Sequence, residues 1–358
     1  MNRKVKRASP EQRRRVFVAM SGGVDSSVAA YLLKKQGYSV VGVFIRGYNI
    51  DGCGEMEAED ARRVAEALGI PFYVFDLEDE YKKLVVKYMV EGYRKGITPN
   101  PDVMCNKEIK FGLFLDKAVE LGADYIATGH YVRLKSGKLF EAKDKNKDQS
   151  YFLWTLTQEQ LKYCLFPIGD YLKRDVREIA RRAGLPTAEK KDSQGICFLG
   201  KITLSDFLKQ YLPEKRGLVY TTDGKKIGEH PGAWFYTIGQ RQGLGIGGSK
   251  LPYYVAEKDV KGNVIKVAEG EDNPSLYRDE IELENVNFIS SPSSNSRELA
   301  NRVLARVRYR QPLSSASISK IGETYKIKFD KPQKFVAPGQ SAVIYSRTGE
   351  VLGGGVIV

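Results

Sequence analysis

A short turn near the start of the chain constrains its fold more than any other stretch. Val16 to Met20 is an unbroken apolar run that reads as a buried strand. Ser26 to Gln36 carries Val28, Leu32 and Leu33 at helical spacing. Between them lies Ser21-Gly22-Gly23-Val24-Asp25-Ser26-Ser27. Two glycines at a strand-to-helix junction let backbone N–H groups turn toward one point, and the helix N-terminus adds partial positive charge there. The stretch therefore specifies a βα unit with an anion site at its bend, suited to phosphate. It is not the GxxxxGK[ST] loop, because the lysine is missing and the spacing is shorter. Read as structure alone, the same residues are a tight turn in which Asp25 and the serines cap the helix.

The strand–helix alternation continues. Ser39 to Ile45 is a second apolar run. Glu55 to Leu68 follows, with Ala58, Ala61, Val64, Ala65 and Leu68 on one helical face and Gly69 as its stop. Phe72 to Phe75 reads as a strand, Tyr81 to Tyr93 and Lys107 to Leu121 as helices, and Tyr125 to Thr128 as a fourth strand ending at Gly129-His130. Thr98-Pro99-Asn100-Pro101-Asp102 interrupts the pattern, its prolines imposing extended backbone around Asn100. Such alternation predicts a parallel sheet with helices on both faces, whose ligands sit beyond the carboxyl ends of the strands. Ser21, Ile45 and Gly129-His130 fall at those ends and are expected to converge on one pocket.

Residues 131–200 are mixed. Ser136-Gly137 suits a hairpin, Thr157-x-x-Gln160 a capping box, Arg174 to Ala183 a helix stopped by Gly184, and Lys190 to Leu199 a loop. Past about residue 205 a short helix, Ser205 to Tyr211, gives way to short β-type runs between glycine turns. Further strands are expected at Arg302 to Tyr309, Tyr325 to Phe329 and Ser341 to Tyr345, with Ser290 to Ser296 as a connection. The predicted organisation is a disordered basic tail over 1–15, a catalytic α/β domain over 16–204, a small β-rich central domain over 205–278 and a C-terminal antiparallel β-barrel over 279–358.

Lys+Arg 57 against Asp+Glu 44 gives a formal net charge of +13, a surplus that suits a polyanionic partner. No apolar run approaches the roughly 20 residues of a membrane span. Among Cys53, Cys105, Cys164 and Cys197 there is no C-x-x-C pair, so a four-cysteine zinc site is not expected, and a reducing, cytoplasmic setting fits best.

Several residues could carry chemistry. Asp25 can hold Mg²⁺ beside phosphates, with Ser21, Ser26 and Ser27 supplying hydroxyls. Cys105, near a helix start with Lys107 and Lys110 close by, reads as a nucleophile of lowered pKa, and otherwise as a small buried hydrophobe. Cys197 lies in a loop-like stretch, also near lysines. Cys164, in Tyr163-Cys164-Leu165-Phe166, reads as core, and Cys53 is given no role. Lys147-Asp148-Gln149-Ser150 either contacts nucleic acid or caps the next helix. Arg302, Arg306, Arg308 and Arg310 at period two predict a basic stripe on one strand.

Taken in order, these segments match a known pattern. Ser21 to Ser27 is the Ser-Gly-Gly-x-Asp-Ser loop of the PP-loop ATP pyrophosphatases. With it stand Asn100-Pro101-Asp102, Cys105 to Phe111, Thr128-Gly129-His130-Tyr131, Lys147 to Phe152, Asp192 to Phe198, Gly239 to Gly248, Tyr309-Arg310-Gln311 and Pro338-Gly339-Gln340-Ser341. From about residue 16 to its end the chain resembles the tRNA-specific 2-thiouridylases. The basic N-terminal extension is the departure. The resemblance implies an α/β domain of the adenine nucleotide α-hydrolase type followed by the two β domains. It implies ATP, with Mg²⁺ near Asp25, bound by Ala19, Met20, Ser21, Gly22, Gly23, Val24, Asp25, Ser26, Ile45 and Gly129. It implies thiolation at C2 of the wobble uridine, Cys197 carrying sulfur as a persulfide, Cys105 cleaving that persulfide with formation of a Cys105–Cys197 disulfide, and Asp102 as general acid/base. Asn100, Pro101 and Asp102 would cradle the base, while His130, Lys147, Asp148, Gln149, Tyr309, Arg310 and Gln340 match positions that contact tRNA. Sulfur would come from a carrier protein or cysteine desulfurase. A less favoured version places an iron–sulfur cluster on Asp102, Cys105 and Cys197.

Overall fold

A computed structural model of the chain describes residues 14–48, 50, 52–192, 195, 198–200, 202–248, 250–289 and 302–358. Residues 1–13 of the basic tail, the Ser290–Ser296 connection and Ser193, Gln194, Ile196 and Cys197 lie outside the described residues. Arg15, expected in the tail, instead opens the first strand, where it pairs with Ser39 and its N–H donates to Asp124 Oδ2 at 2.7 Å. The chain divides into two compact units, Met1–Leu84 with Asp102–Lys201, and Val85–Pro101 with Ile202–Val358.

The first unit is built on a five-stranded sheet. Its strands are β1 (Arg15–Ala19), β2 (Ser39–Arg46), β3 (Phe72–Asp76), β4 (Tyr125–Thr128) and β7 (Cys164–Leu165), ordered β3-β2-β1-β4-β7. All four pairings are parallel. A two-stranded hairpin, β5 (Val132–Lys135) with β6 (Lys138–Glu141), turns at Ser136-Gly137, where both residues have positive φ. Helix α1 (Val24–Lys35) lays Val28, Ala29, Leu32 and Leu33 into the core that Val16 and Val18 of β1 build from the sheet. Helix α2 (Cys53–Leu68) adds Ala61, Val64 and Leu68, and ends where Gly69 adopts a left-handed conformation that a Cβ would strain. Helix α3 (Lys173–Arg182) adds Val176 and Ala180. The capping box at Thr157 and Gln160 is formed in both directions. From β1 the chain steps outward through β2 to β3, then crosses back to place β4 on the other side of β1. The crevice beyond Ala19 and Thr128 is therefore the topological switch point of the sheet, where open α/β sheets bind ligands.

Helical structure after the two prolines begins at Pro101, earlier than the Lys107 expected from periodicity. It runs as Pro101–Met104, a π-wound Cys105–Leu113 and Phe114–Glu120. Proline suits the first helical position, because the N–H it lacks has no acceptor there. Cys105 thus sits within the opening turns of a helix rather than ahead of one.

The second unit contains a four-stranded sheet and a barrel. The sheet is β10-β11-β8-β9, from β8 (Gly217–Thr221), β9 (Lys226–His230), β10 (Tyr253–Asp259) and β11 (Val264–Glu269), with β11 and β8 its one parallel pair. Six antiparallel strands close the barrel in the order β12-β15-β14-β13-β16-β17. They are β12 (Tyr277–Phe288), β13 (Val303–Arg306), β14 (Ser314–Ile321), β15 (Thr324–Lys334), β16 (Ser341–Tyr345) and β17 (Val351–Ile357). Leu283, Ala305, Ile327 and Ile344 fill its interior. The expected arginine stripe is not formed. β13 ends at Arg306, which is buried with its guanidinium over the Tyr345 ring, and the chain then turns, with Arg310 at φ 65°. Arg308 and Arg310 lie beyond the strand and Arg306 is buried, so the four arginines do not form one exposed basic face.

Candidate active site at the carboxyl edge of the parallel sheet

The turn after β1 is held closed by its own side chains. Ser21 N–H donates to Ser26 Oγ at 3.1 Å, and Ser26 and Ser27 hydroxyls donate to Gly23 O at 3.1 and 2.8 Å. Gly22 has φ 73°, and a Cβ there would meet the Glu57 backbone oxygen and lie 2.7 Å from its Oε2, so glycine is required. Gly23 caps α1 with no side-chain hydrogen bond. With no side-chain cap from Gly23, the opening amides of α1 suit an incoming acceptor at the positive end of the helix dipole.

Gly129 completes the cradle from the end of β4. A Cβ on it would lie 2.6 Å from Ser26 N and 2.8 Å from Asp25 C, so the two backbones touch at the switch point. The expected convergence of the Ser21 loop with Gly129 is therefore observed. Ala19 and Met20 end β1, with Met20 N–H donating to Val43 O at 2.8 Å, while Ile45 lies two residues further along β2 and pairs with Phe75. Val24 and Ser26 are buried within α1.

Asp25 is the charged centre of this cradle. Tyr131 Oη donates to its Oδ1 at 2.8 Å, and Lys173 Nζ reaches Oδ1 and Oδ2 at 2.7 and 2.8 Å. Burial, and next the Asp25 charge, push the Tyr131 phenol well above its ordinary pKa, so it stays a donor. Lys173 also reaches Asp192 Oδ1 at 2.8 Å, where Arg177 joins at 2.6 Å, and Lys147 takes Asp192 Oδ2 at 2.6 Å. Burial raises the Asp192 carboxyl, but Lys147 and Lys173 outweigh it and hold the pKa at about 2. Lys190 pairs with Glu57 and Asp60 of α2 at 2.7 Å.

The residues expected to contact RNA are engaged within the protein. Asp148 is buried and accepts from Ala142 N at 2.9 Å and from Ser150 Oγ at 2.9 Å. Gln149 and Tyr131 exchange two hydrogen bonds, Tyr131 N–H to Oε1 at 3.0 Å and Gln149 N–H to Tyr131 O at 2.9 Å. His130 is buried beside Phe111, its Nδ1 2.7 Å from Thr128 Oγ1, and burial followed by the nearby Lys110 keeps it neutral. Asp102 and Cys105 share one face of their helical run, and Cys105 is buried. Phe198, next to Cys197 in sequence, packs its ring against Tyr81 and Tyr48 at 5.6 and 6.2 Å between centroids. Cys197 itself lies outside the described residues.

In the second unit, Gln340 Nε2 donates to Thr98 O at 2.9 Å and Pro99 O at 3.3 Å, and Thr98 N–H donates to Pro338 O at 2.7 Å. The Pro338–Gln340 turn thereby braces the irregular segment that carries Asn100 and Pro101, both of them buried. Arg310 is exposed, with its guanidinium over the Tyr309 ring at 5.2 Å.

Tyr131, Lys173 and Asp192 were not singled out as site residues from the sequence. Tyr131 and Asp192 fall inside quoted motifs. Lys173 had no local signal, since it opens an ordinary amphipathic helix 148 residues from Asp25.

Family models match three consecutive segments: a tRNA methyl transferase HUP domain over residues 14–201, a tRNA methyl transferase PRC-barrel domain over 205–269 and an aminomethyltransferase beta-barrel domain over 278–357. The chain is 47% identical to the tRNA-specific 2-thiouridylase MnmA of Methylobacillus flagellatus, over 96% of this chain and 99% of that one. It is 48% identical to the tRNA-specific 2-thiouridylase MnmA 2 of Geobacillus kaustophilus, over 96% and 94%. Among solved structures, an NMN synthetase from Francisella tularensis matches at TM-score 0.34 and 16% identity over 51% of this chain and 66% of that one.

Proposed function

The chain belongs to the tRNA-specific 2-thiouridylase family, and from that premise we propose that it is an ATP-dependent tRNA sulfurtransferase acting at C2 of the wobble uridine. The observation that carries this reading is the uncapped start of α1, set against Gly129 at the switch point with Asp25 beside it. Amides and helix dipole suit the phosphates of ATP, and Asp25 suits its Mg²⁺. The magnesium would neutralise phosphate charge, while Ser21, Ser26 and the α1 amides orient the chain of phosphates.

A uridine C2 carbonyl oxygen is a poor leaving group until it carries a phosphoryl group. Its O2 attacks the α-phosphate of ATP, pyrophosphate departs, and the adenylated base is left open to sulfur. Cys197 brings that sulfur as a persulfide charged by a carrier protein or cysteine desulfurase. Cys105 attacks the Cys197 sulfur, the sulfur–sulfur bond of the persulfide breaks, and the released sulfide displaces AMP from C2. A Cys105–Cys197 disulfide remains, and an external dithiol reduces it. Asp102, on the same helical face as Cys105, moves the proton. Asn100 and Pro101 hold the base, and the excess of basic residues suits the RNA backbone.

Incubation with ATP, a persulfide donor and unmodified tRNA, read by mass spectrometry of the nucleosides, is expected to give 2-thiouridine together with tRNA-dependent pyrophosphate release. Thiolation surviving in Cys197→Ser sinks the persulfide route. Pyrophosphate release that ignores tRNA points instead to a small-molecule ligase. Iron recovered in proportion to activity from anaerobic preparations favours the cluster version.

A further inference from the structure

Lys173 stands between two carboxylates that serve different parts of the site. Its ammonium contacts both oxygens of Asp25 at 2.7 and 2.8 Å and Asp192 Oδ1 at 2.8 Å. Asp192 turns its other oxygen to Lys147 at 2.6 Å. Charges therefore alternate along Asp25, Lys173, Asp192 and Lys147, from the first turn of α1 to the Lys147–Gln149 turn. The Lys173 side chain is only 12% exposed, so its two attractions are weakly screened, and a carboxylate stripped of its cation here is costly.

We propose that Lys173 is a positioning residue through which nucleotide at Asp25 and RNA at Lys147 strengthen each other's binding. This rests on the sulfurtransferase reading for the placement of both ligands. A divalent cation arriving with nucleotide at Asp25 repels the Lys173 ammonium. Lys173 then pairs wholly with Asp192, and Lys147 is released to an RNA phosphate. From the other end, an RNA phosphate draws Lys147 away, Asp192 recaptures Lys173, and Asp25 is opened to the cation. Both directions favour the doubly bound state, as linkage requires, since the coupling factor is the same whichever ligand binds first. A second connection runs in parallel. Gln149 exchanges two hydrogen bonds with Tyr131, whose Oη holds Asp25. Arg177 stays on Asp192 throughout and keeps it from being left bare.

The test is the dissociation constant of a magnesium-bound, non-hydrolysable ATP analogue, measured by titration calorimetry with and without tRNA. Wild type, Lys173→Met and Asp192→Asn are compared. Asp192→Asn leaves Lys173 beside Asp25 and guards against a Lys173→Met protein that does not fold. In wild type, tRNA is expected to tighten the analogue by roughly fivefold or more, and in both variants the ratio is expected to fall toward 1. A uniform loss of affinity does not move that ratio, so a merely structural role for Lys173 leaves it unchanged. A wild-type ratio at or below 1, or an unchanged ratio in the variants, overturns the coupling while the sulfurtransferase reading stands. Failure of wild type to bind either ligand overturns that reading and the coupling with it.

Discussion

Tyr131 Oη donates a hydrogen bond of 2.8 Å to Asp25 Oδ1 across 106 residues of sequence. The bond joins the residue after Gly129-His130 to the first turn of α1. It fixes the carboxylate beside the amides proposed to receive phosphate, and burial and the carboxylate's charge keep the phenol protonated.

Tyr131→Phe keeps the ring and removes the donor. Asp25 retains Lys173, so the site is loosened rather than dismantled. A hydrogen bond to a charged group contributes about 1.5–3 kcal/mol. ATP affinity, or the rate of tRNA-dependent pyrophosphate release, is expected to fall roughly tenfold or more, with little change in the unfolding midpoint. Activity within twofold of wild type means that Lys173 alone orients Asp25.

Gly129→Ala tests the switch-point contact. The added methyl meets Ser26 N at 2.6 Å and Asp25 C at 2.8 Å, and both atoms are backbone that cannot swing aside. β4 and the start of α1 must separate, at a cost of about 1–3 kcal/mol, and nucleotide binding is expected to be lost before the fold is. Gly247→Ala is the control, because a Cβ there meets nothing within 4 Å. Equal effects of the two substitutions on ATP affinity contradict a Gly129 cradle.

The β1–turn–α1 unit was legible because each local signal agreed: an apolar strand, two glycines where backbone must turn, and a helix with one apolar face. The stop at Gly69 and the cap at Thr157 were legible for the same reason. Other features depended on what the fold brings near. Lys173 resembles any charged residue at a helix end until α3 is placed against α1. Arg306 follows strand alternation, yet its charge is buried over Tyr345, which no neighbouring residue in the sequence announces. Pro101 carried two valid signals, since a proline both restricts the residue before it and favours the first turn of a helix. The non-helical Thr98–Asn100 stretch fits the first signal and the helix from Pro101 the second.

Cys164 is expected to be inert. It is 2% exposed, its thiol donates to Gln160 O at 3.1 Å, and burial pushes its pKa up to about 12. At pH 8 only about one thiol in 10⁴ is ionised. Brief iodoacetamide treatment of the native protein, followed by peptide mass spectrometry, should leave Cys164 unmodified, whereas unfolding in urea should expose it. Cys164→Ala should retain thiolation with a modest loss of stability. Rapid alkylation of Cys164 in the native state contradicts its place in the core.

Lys258 gives the second unit a pH dependence of definite sign. Its ammonium donates to Tyr236 O at 2.8 Å and lies 5.7 Å from the Tyr93 ring centroid, and burial lowers its pKa from 10.5 to about 8. Between pH 8 and 10.5 the unfolded chain binds the proton that the folded chain has given up. Stability from this group therefore rises with pH across that window, and the penalty for enclosing the charge is fully present below pH 8. Discounted for the partial exposure of the side chain, the effect is about 2 kcal/mol. Other lysines, tyrosines and cysteines titrate in the same range, so the quantity to read is the difference between wild type and Lys258→Met in urea unfolding at pH 7.5 and at pH 10. That difference should shift in favour of wild type as pH rises. A difference that is flat with pH means the ammonium keeps its ordinary pKa, well solvated despite its place beneath Tyr93.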